Sequence, residues 1–264
     1  MIVEEPQGAH HIRVIDGFPG DAAAVPAAKG GKIIPSDLIA RSGDGKTRAG
    51  RRAVLAVLAA AVLLFGAGSP TARAAEPVTI LAFGDSLISG YGLPETDGFP
   101  AQLQRALAAA GVAARVANAG VAGDTSAGGL ARLDWALGDG PDLVILELGA
   151  NDGLRGLDPA ATERNLDAML ALLAAKKIPV LFAGMRAPRN LGADYAAQFD
   201  ALYPRLAGKH RVRFDPFFLE GVATNPALNQ ADGIHPNAAG VAKIVERLVP
   251  TLRAMIDALP AAQG

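Results

Sequence analysis

The sequence predicts an α/β domain built on a doubly wound parallel sheet with helices on both faces. Three observations predict it. Past Glu76, short β-rich runs alternate with helical stretches about five times, the order that generates a parallel sheet. The strongest run, Leu143-Val-Ile-Leu-Glu-Leu148, is nearly all apolar, as suits a strand covered on both faces. The chemically suggestive residues lie just beyond the ends of the runs, where ligands bind in such folds.

Val78–Phe83 reads as the first strand, an apolar run that stops at Gly84-Asp85-Ser86. Phe99–Ala110 has apolar residues at helical spacing, with Gly111 as its stop. Ala114–Ala119 is a second strand, and Ser126–Leu137 a helix for which Asp124 or Thr125 can serve as N-cap. Leu143–Leu148 is the third strand, Pro159–Lys176 an amphipathic helix, and Pro179–Ala183 the fourth strand. Ala193–Leu206 is helical and Val212–Phe214 a short fifth strand. Asn237–Leu259 closes the chain as a helix, with a bend expected near Pro250. Gly84–Ser86, Gly120–Ser126, Gly149–Asp152 and Asp232–His235 are thereby expected to converge on one edge of the sheet.

The organisation expected is an N-terminal extension (1–47), an export signal (48–75) and a single folded domain (76–264). Half of the 264 residues are hydrophobic, enough for a full-sized core. Residues 1–75 hold nine Lys/Arg against six Asp/Glu, and the remainder sixteen against twenty. The formal net charge of −1 gives no electrostatic case for nucleic acid or an anionic membrane surface. Arg48, Arg51 and Arg52 precede the uncharged run 53–68, and Ala72-x-Ala74 has the small-x-small form of a cleavage site. That pattern reads as an export signal to the periplasm or exterior. The run is shorter than the roughly 18–20 residues that span a bilayer comfortably, and an uncleaved anchor is the alternative. Residues 1–47 are rich in Gly, Ala and Pro and show no sustained periodicity; disorder is expected there, with translation starting downstream. With no cysteine in the chain, disulfides, thiolate metal sites and a cysteine nucleophile are excluded.

Serine and histidine are scarce where chemistry is expected. From Glu76 onward the serines are Ser86, Ser89 and Ser126, and the histidines His210 and His235. A serine hydroxyl is a poor nucleophile until a base takes its proton. His235 is the natural base, and Asp232, three residues earlier, can fix its tautomer and stabilise the imidazolium. A tetrahedral intermediate then needs hydrogen-bond donors: the backbone N–H of Ser86, that of Gly123, and the side-chain amide of Asn151 are the candidates. Each element has a plainer reading alone. Gly84-Asp85-Ser86 can be a turn or a cap, His235 a structural histidine, and Asn151-Asp152 a cap for the following helix. The glycine-rich stretch Gly120–Gly129 has neither a Walker lysine nor G-x-G-x-x-G spacing. No metal-ligand spacing is present and no cofactor is called for.

Taken together, Gly84-Asp85-Ser86-Leu87, Gly123-Asp124-Thr125-Ser126, Gly149-x-Asn151-Asp152 and Asp232-x-x-His235 resemble, in order, the four sequence blocks of the GDSL or SGNH hydrolases. The resemblance spans residues 78–250. The longer stretches Glu147-Leu-Gly-x-Asn-Asp-Gly-Leu-Arg-Gly156 and Asp232-Gly-Ile-His-Pro-Asn237 are similar to the multifunctional periplasmic thioesterase/lysophospholipase and arylesterase branch. It implies a three-layer α/β/α sandwich with a five-stranded, flavodoxin-like parallel sheet. It implies Ser86 as nucleophile, His235 as base, Asp232 as its orienter, and Ser86, Gly123 and Asn151 as oxyanion donors. Absence of G-x-S-x-G separates the chain from ordinary α/β-hydrolases.

The expected function is hydrolysis of carboxylic esters and acyl thioesters through an acyl-serine. The expected partner is a small molecule with an apolar acyl or aryl group, bound by a monomer or small homo-oligomer without stable membrane association. Leu154, Leu157, Met185, Ala187 and Pro188 are the candidate acyl-site walls, although such residues near strand ends are often core. Arg155 and Arg186 can meet an anionic head group or stand in solvent. Deacetylation of acetylated polysaccharide and non-catalytic binding of acyl chains or glycans are the alternatives.

Overall fold

A computed structural model describes residues 76–138 and 140–260. The expected extension and export signal lie outside the described residues. The elements in chain order are β1 (Val78–Gly84), α1 (Ser86–Ser89), α2 (Phe99–Ala109), β2 (Ala114–Gly120), α3 (Ser126–Ala136), β3 (Leu143–Glu147), α4 (Ala150–Leu154), α5 (Pro159–Ala175), β4 (Val180–Ala183), α6 (Ala193–His210), β5 (Arg213–Asp215) and α7 (Ala238–Asp257). Single turns of 3₁₀ helix stand at Glu95–Asp97 and Arg189–Leu191.

All five strands are parallel, in the order β2-β1-β3-β4-β5. The chain steps outward from β1 to β2 and then returns to place β3 on the other side of β1. The gap beyond the C-terminal ends of β1 and β3 is therefore the topological switch point, where open sheets leave room for a ligand. Helices α2 and α7 pack together on one face, and α3, α5 and α6 pack in sequence on the other, giving three layers. Every residue of β3 and β4 is buried, whereas the edge strand β2 is only partly covered.

Local chemistry sets the helix ends. Asp158 accepts from Ala160 N and precedes a proline in the first turn of α5, and Asn237 accepts from Gly240 N to start α7. Thr125, rather than Asp124, caps α3. Helix α2 buries Phe99, Leu103 and Leu107, a four-residue repeat that keeps one stripe on the core. Burying a side chain of that kind contributes about 1.5–3 kcal/mol, so the stripe fixes the helix more firmly than its propensity does. Helix α6 runs one turn beyond the expected Leu206, ending where Arg211 takes φ 53°. Its last turn carries Lys209 and His210 onto Asp167 of α5. Helix α7 continues through Pro250, an exposed position where the carbonyl one turn earlier can be hydrated.

Helices α1 and α4 have no counterpart in the sequence reading, because four or five residues are too few to display a helical period. Both lie at the switch point, immediately after β1 and β3.

Candidate active site

Strand β1 delivers Ser86 to the sheet edge as the first residue of α1. Asp85 caps that helix by accepting from Leu87 N at 3.0 Å, and Gly90 closes it in the left-handed conformation. The serine is thus held at a helix start rather than on a free loop. The Asp232–His235 turn approaches from the segment before α7. Asn229 and Pro236 form an antiparallel bridge across the turn's base. Gln230 donates from its backbone to His235 O at 2.8 Å and from Nε2 to Tyr91 O at 2.8 Å.

The structure brings Ser86, His235 and Asp232 into line, with Nε2 of His235 2.9 Å from Ser86 Oγ and Nδ1 2.7 Å from Asp232 Oδ2. The second oxygen of Asp232 accepts from the backbone N–H groups of Ile234 and His235, each at 3.0 Å. Those bonds, led by the His235 N–H and the imidazole, hold the Asp232 carboxyl down to about 2, so it is an acceptor at any ordinary pH. Nδ1 therefore carries the imidazole proton and Nε2 is free to accept from the serine hydroxyl. The Tyr91 ring covers the imidazole at a centroid distance of 4.7 Å. His210 stands instead at the end of α6, just before β5 begins and hence at the opposite edge of the sheet, with Nε2 2.6 Å from Asp167 Oδ1.

Asn151 follows β3 on α4, and its amide donates to Asp85 Oδ2 at 3.1 Å, leaving a second amide N–H for another acceptor. Gly123 sits in the loop after β2 at φ 81°, a conformation that a side-chain-bearing residue adopts only with strain. Its N–H donates to no acceptor among the described residues, while its carbonyl accepts from Arg155 Nη2 at 2.8 Å. Ser126 is engaged elsewhere. Its Oγ donates to Asp152 Oδ1 at 2.5 Å and its N–H to Oδ2 at 2.8 Å, in a buried cluster completed by Thr162 and Asn165.

Beneath the serine lies a pair of carboxyl groups that sequence reasoning missed. Asp85 and Glu147 are both fully buried, and Asp85 N donates to Glu147 Oε2 at 3.3 Å. Burial pushes the Asp85 carboxyl up to about 6 against its hydrogen bonds from Leu87 and Asn151. Burial and the neighbouring Asp85 raise Glu147 well above the usual carboxylate range. Its Oε1 has no hydrogen-bond partner among the described residues. The approach depends on Gly84, where a Cβ would stand 2.5 Å from the Glu147 carbonyl oxygen. A lone glutamate in the apolar run 143–148 was the available signal.

A cavity of about 670 Å³ opens beside Ser86, Asn151 and His235. The expected Leu154, Met185, Ala187 and Pro188 line it, joined by Leu87, Phe217, Leu219 and Ile234, which sequence reasoning did not name. Leu157 and Gly123 are not among its lining residues, and the Leu157 carbonyl accepts from the Tyr195 hydroxyl. Leu157 follows α4 by three residues, far enough for the chain to have turned away from the cavity wall. Arg186 lies over the Phe217 ring and faces Glu220 at 3.6 Å, so its charge is already answered. Among the described residues no group of three or more His, Cys, Asp or Glu could hold a metal ion, and no helix is long and apolar enough to cross a membrane.

Residues 82–243 match the sequence profile described as the GDSL-like Lipase/Acylhydrolase family. Esterase TesA of Pseudomonas aeruginosa is 43% identical over 179 residues, covering 67% of this chain and 89% of the relative. The thioesterase 1/protease 1/lysophospholipase L1 of Escherichia coli K12 is 39% identical over 188 residues, covering 71% of this chain and 89% of the relative. The crystal structure of AlinE4, described as an SGNH-hydrolase family esterase, superposes with a TM-score of 0.59 at 51% identity, over 70% of this chain and 98% of that one.

Proposed function

The chain belongs to the GDSL-like lipase/acylhydrolase family and is an ester hydrolase, and from that premise we propose that Ser86, His235 and Asp232 carry its reaction on esters and thioesters with apolar acyl groups. The observation that supports it is the unbroken line from Ser86 Oγ through His235 to Asp232, at 2.9 and 2.7 Å, opening on an apolar cavity.

In this reading Ser86 Oγ attacks the acyl carbonyl while His235 Nε2 takes its proton. The carbonyl π bond opens to an oxyanion, which the N–H groups of Ser86 and Gly123 and the free amide N–H of Asn151 receive. As the C–O or C–S bond breaks, the imidazolium returns its proton to the leaving alcohol or thiol, and the acyl group stays on Ser86. Water then attacks the acyl-serine, His235 again accepting the proton, and releases the acid and the free serine. Asp232 remains ionised throughout and supports the imidazolium.

The lining of Leu154, Met185, Pro188 and Ile234 favours an acyl or aryl group larger than acetyl. The relatives named as esterase and as thioesterase/lysophospholipase support the same substrate range. The arginine-flanked apolar run at 48–75 supports export, which N-terminal sequencing of the mature protein tests.

Residues 76–264 are assayed on p-nitrophenyl esters from acetyl to palmitoyl and on palmitoyl thioester, beside Ser86→Ala. Rates that rise beyond acetyl, with kcat on the order of 10³-fold lower in the variant, are expected. Undiminished turnover in the variant would refute the assignment, and acetyl-only turnover would point to a deacetylase.

A further inference from the structure

The loop that carries Gly123 is held in two places by two different arginines. Arg132 of α3 grips the stem: it donates to Ala119 O at 2.8 Å, to Gly84 O at 2.8 Å and to Asp124 Oδ2 at 2.7 Å. Its guanidinium lies 4.0 Å over the Phe83 ring. Those bonds fix where the loop leaves β2 and enters α3, but none reaches its tip. The tip is Gly123, whose carbonyl is bonded by Arg155 Nη2 at 2.8 Å.

Arg155 ends α4, the helix that carries Asn151, and its backbone N–H closes the turn onto Asn151 O at 3.1 Å. The same helix anchors the far end of the loop, because Asp152 accepts from both the backbone and the hydroxyl of Ser126. One short helix thus presents the Asn151 amide and, through Asp152 and Arg155, restrains the loop that presents the Gly123 N–H. Arg155 itself is not among the residues that line the cavity.

We propose that Arg155 is a positioning residue for the oxyanion hole: its bond to the Gly123 carbonyl sets the aim of the Gly123 N–H relative to the Asn151 amide. This rests on the reading of Gly123 and Asn151 as oxyanion donors. A glycine at positive φ has wide conformational freedom, so without the guanidinium the tip can turn its N–H away from the developing charge. The loss should fall on the transition state and spare ground-state binding.

The test compares parent, Arg155→Ala, Arg155→Lys and Asn151→Ala on uncharged p-nitrophenyl butyrate, with kcat normalised to reactive serines by burst titration. Removing a whole oxyanion donor costs about 10²–10³-fold, so a misaimed one in Arg155→Ala should lower kcat by about 10- to 30-fold. KM should stay within about twofold, since binding before attack is untouched. Lysine should restore part of kcat, and added methylguanidinium should restore part of it in Arg155→Ala, which a merely structural role would not allow. Unchanged kcat, or a rise in KM alone, overturns the proposal and makes Arg155 a surface or substrate-binding residue. A loss of about 10²–10³-fold in kcat by Asn151→Ala, with KM little changed, secures the underlying oxyanion reading, so either result then counts against Arg155 alone.

Discussion

Asp85 and Asp232 flank the same Ser86–His235 pair, yet their surroundings push them in opposite directions. Asp232 stands on a turn with its side chain 37% exposed, and three donors from its own neighbourhood hold it down to about 2. Asp85 is sealed at the end of β1 beside a second carboxyl, and burial lifts it to about 6. Exposure did not leave the first aspartate weak, because its acceptor duties are met by two backbone N–H groups and an imidazole within three residues. Burial did not make the second a better anion, because its loss of solvent penalises the charge more than the hydrogen bonds from Leu87 and Asn151 favour it. The lesson is a division of labour between a permanent anion that supports the histidine and a proton-binding scaffold that supports the serine and Asn151.

Exchanging the carboxylate on the exposed side should break the comparison most sharply. In Asp232→Asn the side-chain oxygen can still accept from Ile234 and His235 N–H, but an amide NH₂ then faces Nδ1. The imidazole must take the opposite tautomer, with Nε2–H pointing at Ser86, and can no longer accept the serine proton. A fall in kcat on the order of 10³- to 10⁴-fold is expected. A loss under about tenfold would show that His235 is oriented without Asp232.

On the buried side, Asp85→Asn should act more gently and differently. One amide oxygen keeps the cap on Leu87 N, but the NH₂ now meets the Asn151 amide, donor against donor. Asn151 is then released from its post, and kcat should fall by about 10- to 100-fold while KM changes little. Steady-state kinetics on one ester separate the two aspartates. Equal losses at both sites would erase the distinction drawn between them.

The two sides also differ in how far the sequence disclosed them. Asp232 and His235 lie three residues apart, so their pairing needs only a turn and is visible in the letters. Asp85 and Glu147 lie 62 residues apart and meet because β1 pairs with β3 in the register Phe83↔Leu146. No local pattern encodes that register, and Glu147 reads merely as an oddity in an apolar run. The same reason hides the tie from Arg155 to Gly123, 32 residues away, and the cavity walls supplied by Phe217 and Leu219. The alternation of strands and helices was legible because burial on both faces writes itself into the central strands β1, β3 and β4. Helices α1 and α4 escaped it, being too short to carry a period, although both hold residues of the site.

Glu147→Gln sharpens the comparison with the smallest expected change in rate. A group whose pKa is raised by folding binds its proton more tightly in the native state than in the unfolded one. Its contribution to stability is full below the unfolded value and is lost as pH rises through the folded value. For Asp85 that window runs from about 4 to about 6, and for Glu147 it begins near 4 and extends well above the usual carboxylate range. Asp232 shows the reverse sign: its contribution is present above about 4 and is lost as pH falls through about 2. Glutamine keeps a carbonyl oxygen for Asp85 N and cannot ionise, so it removes the Glu147 slope and leaves that of Asp85. Between pH 5 and 8 the unfolding midpoint of Glu147→Gln should therefore fall less steeply than that of the parent, with kcat within about threefold. Parallel midpoint curves would mean that Glu147 does not exchange its proton on folding, and the buried pair would reduce to Asp85 alone.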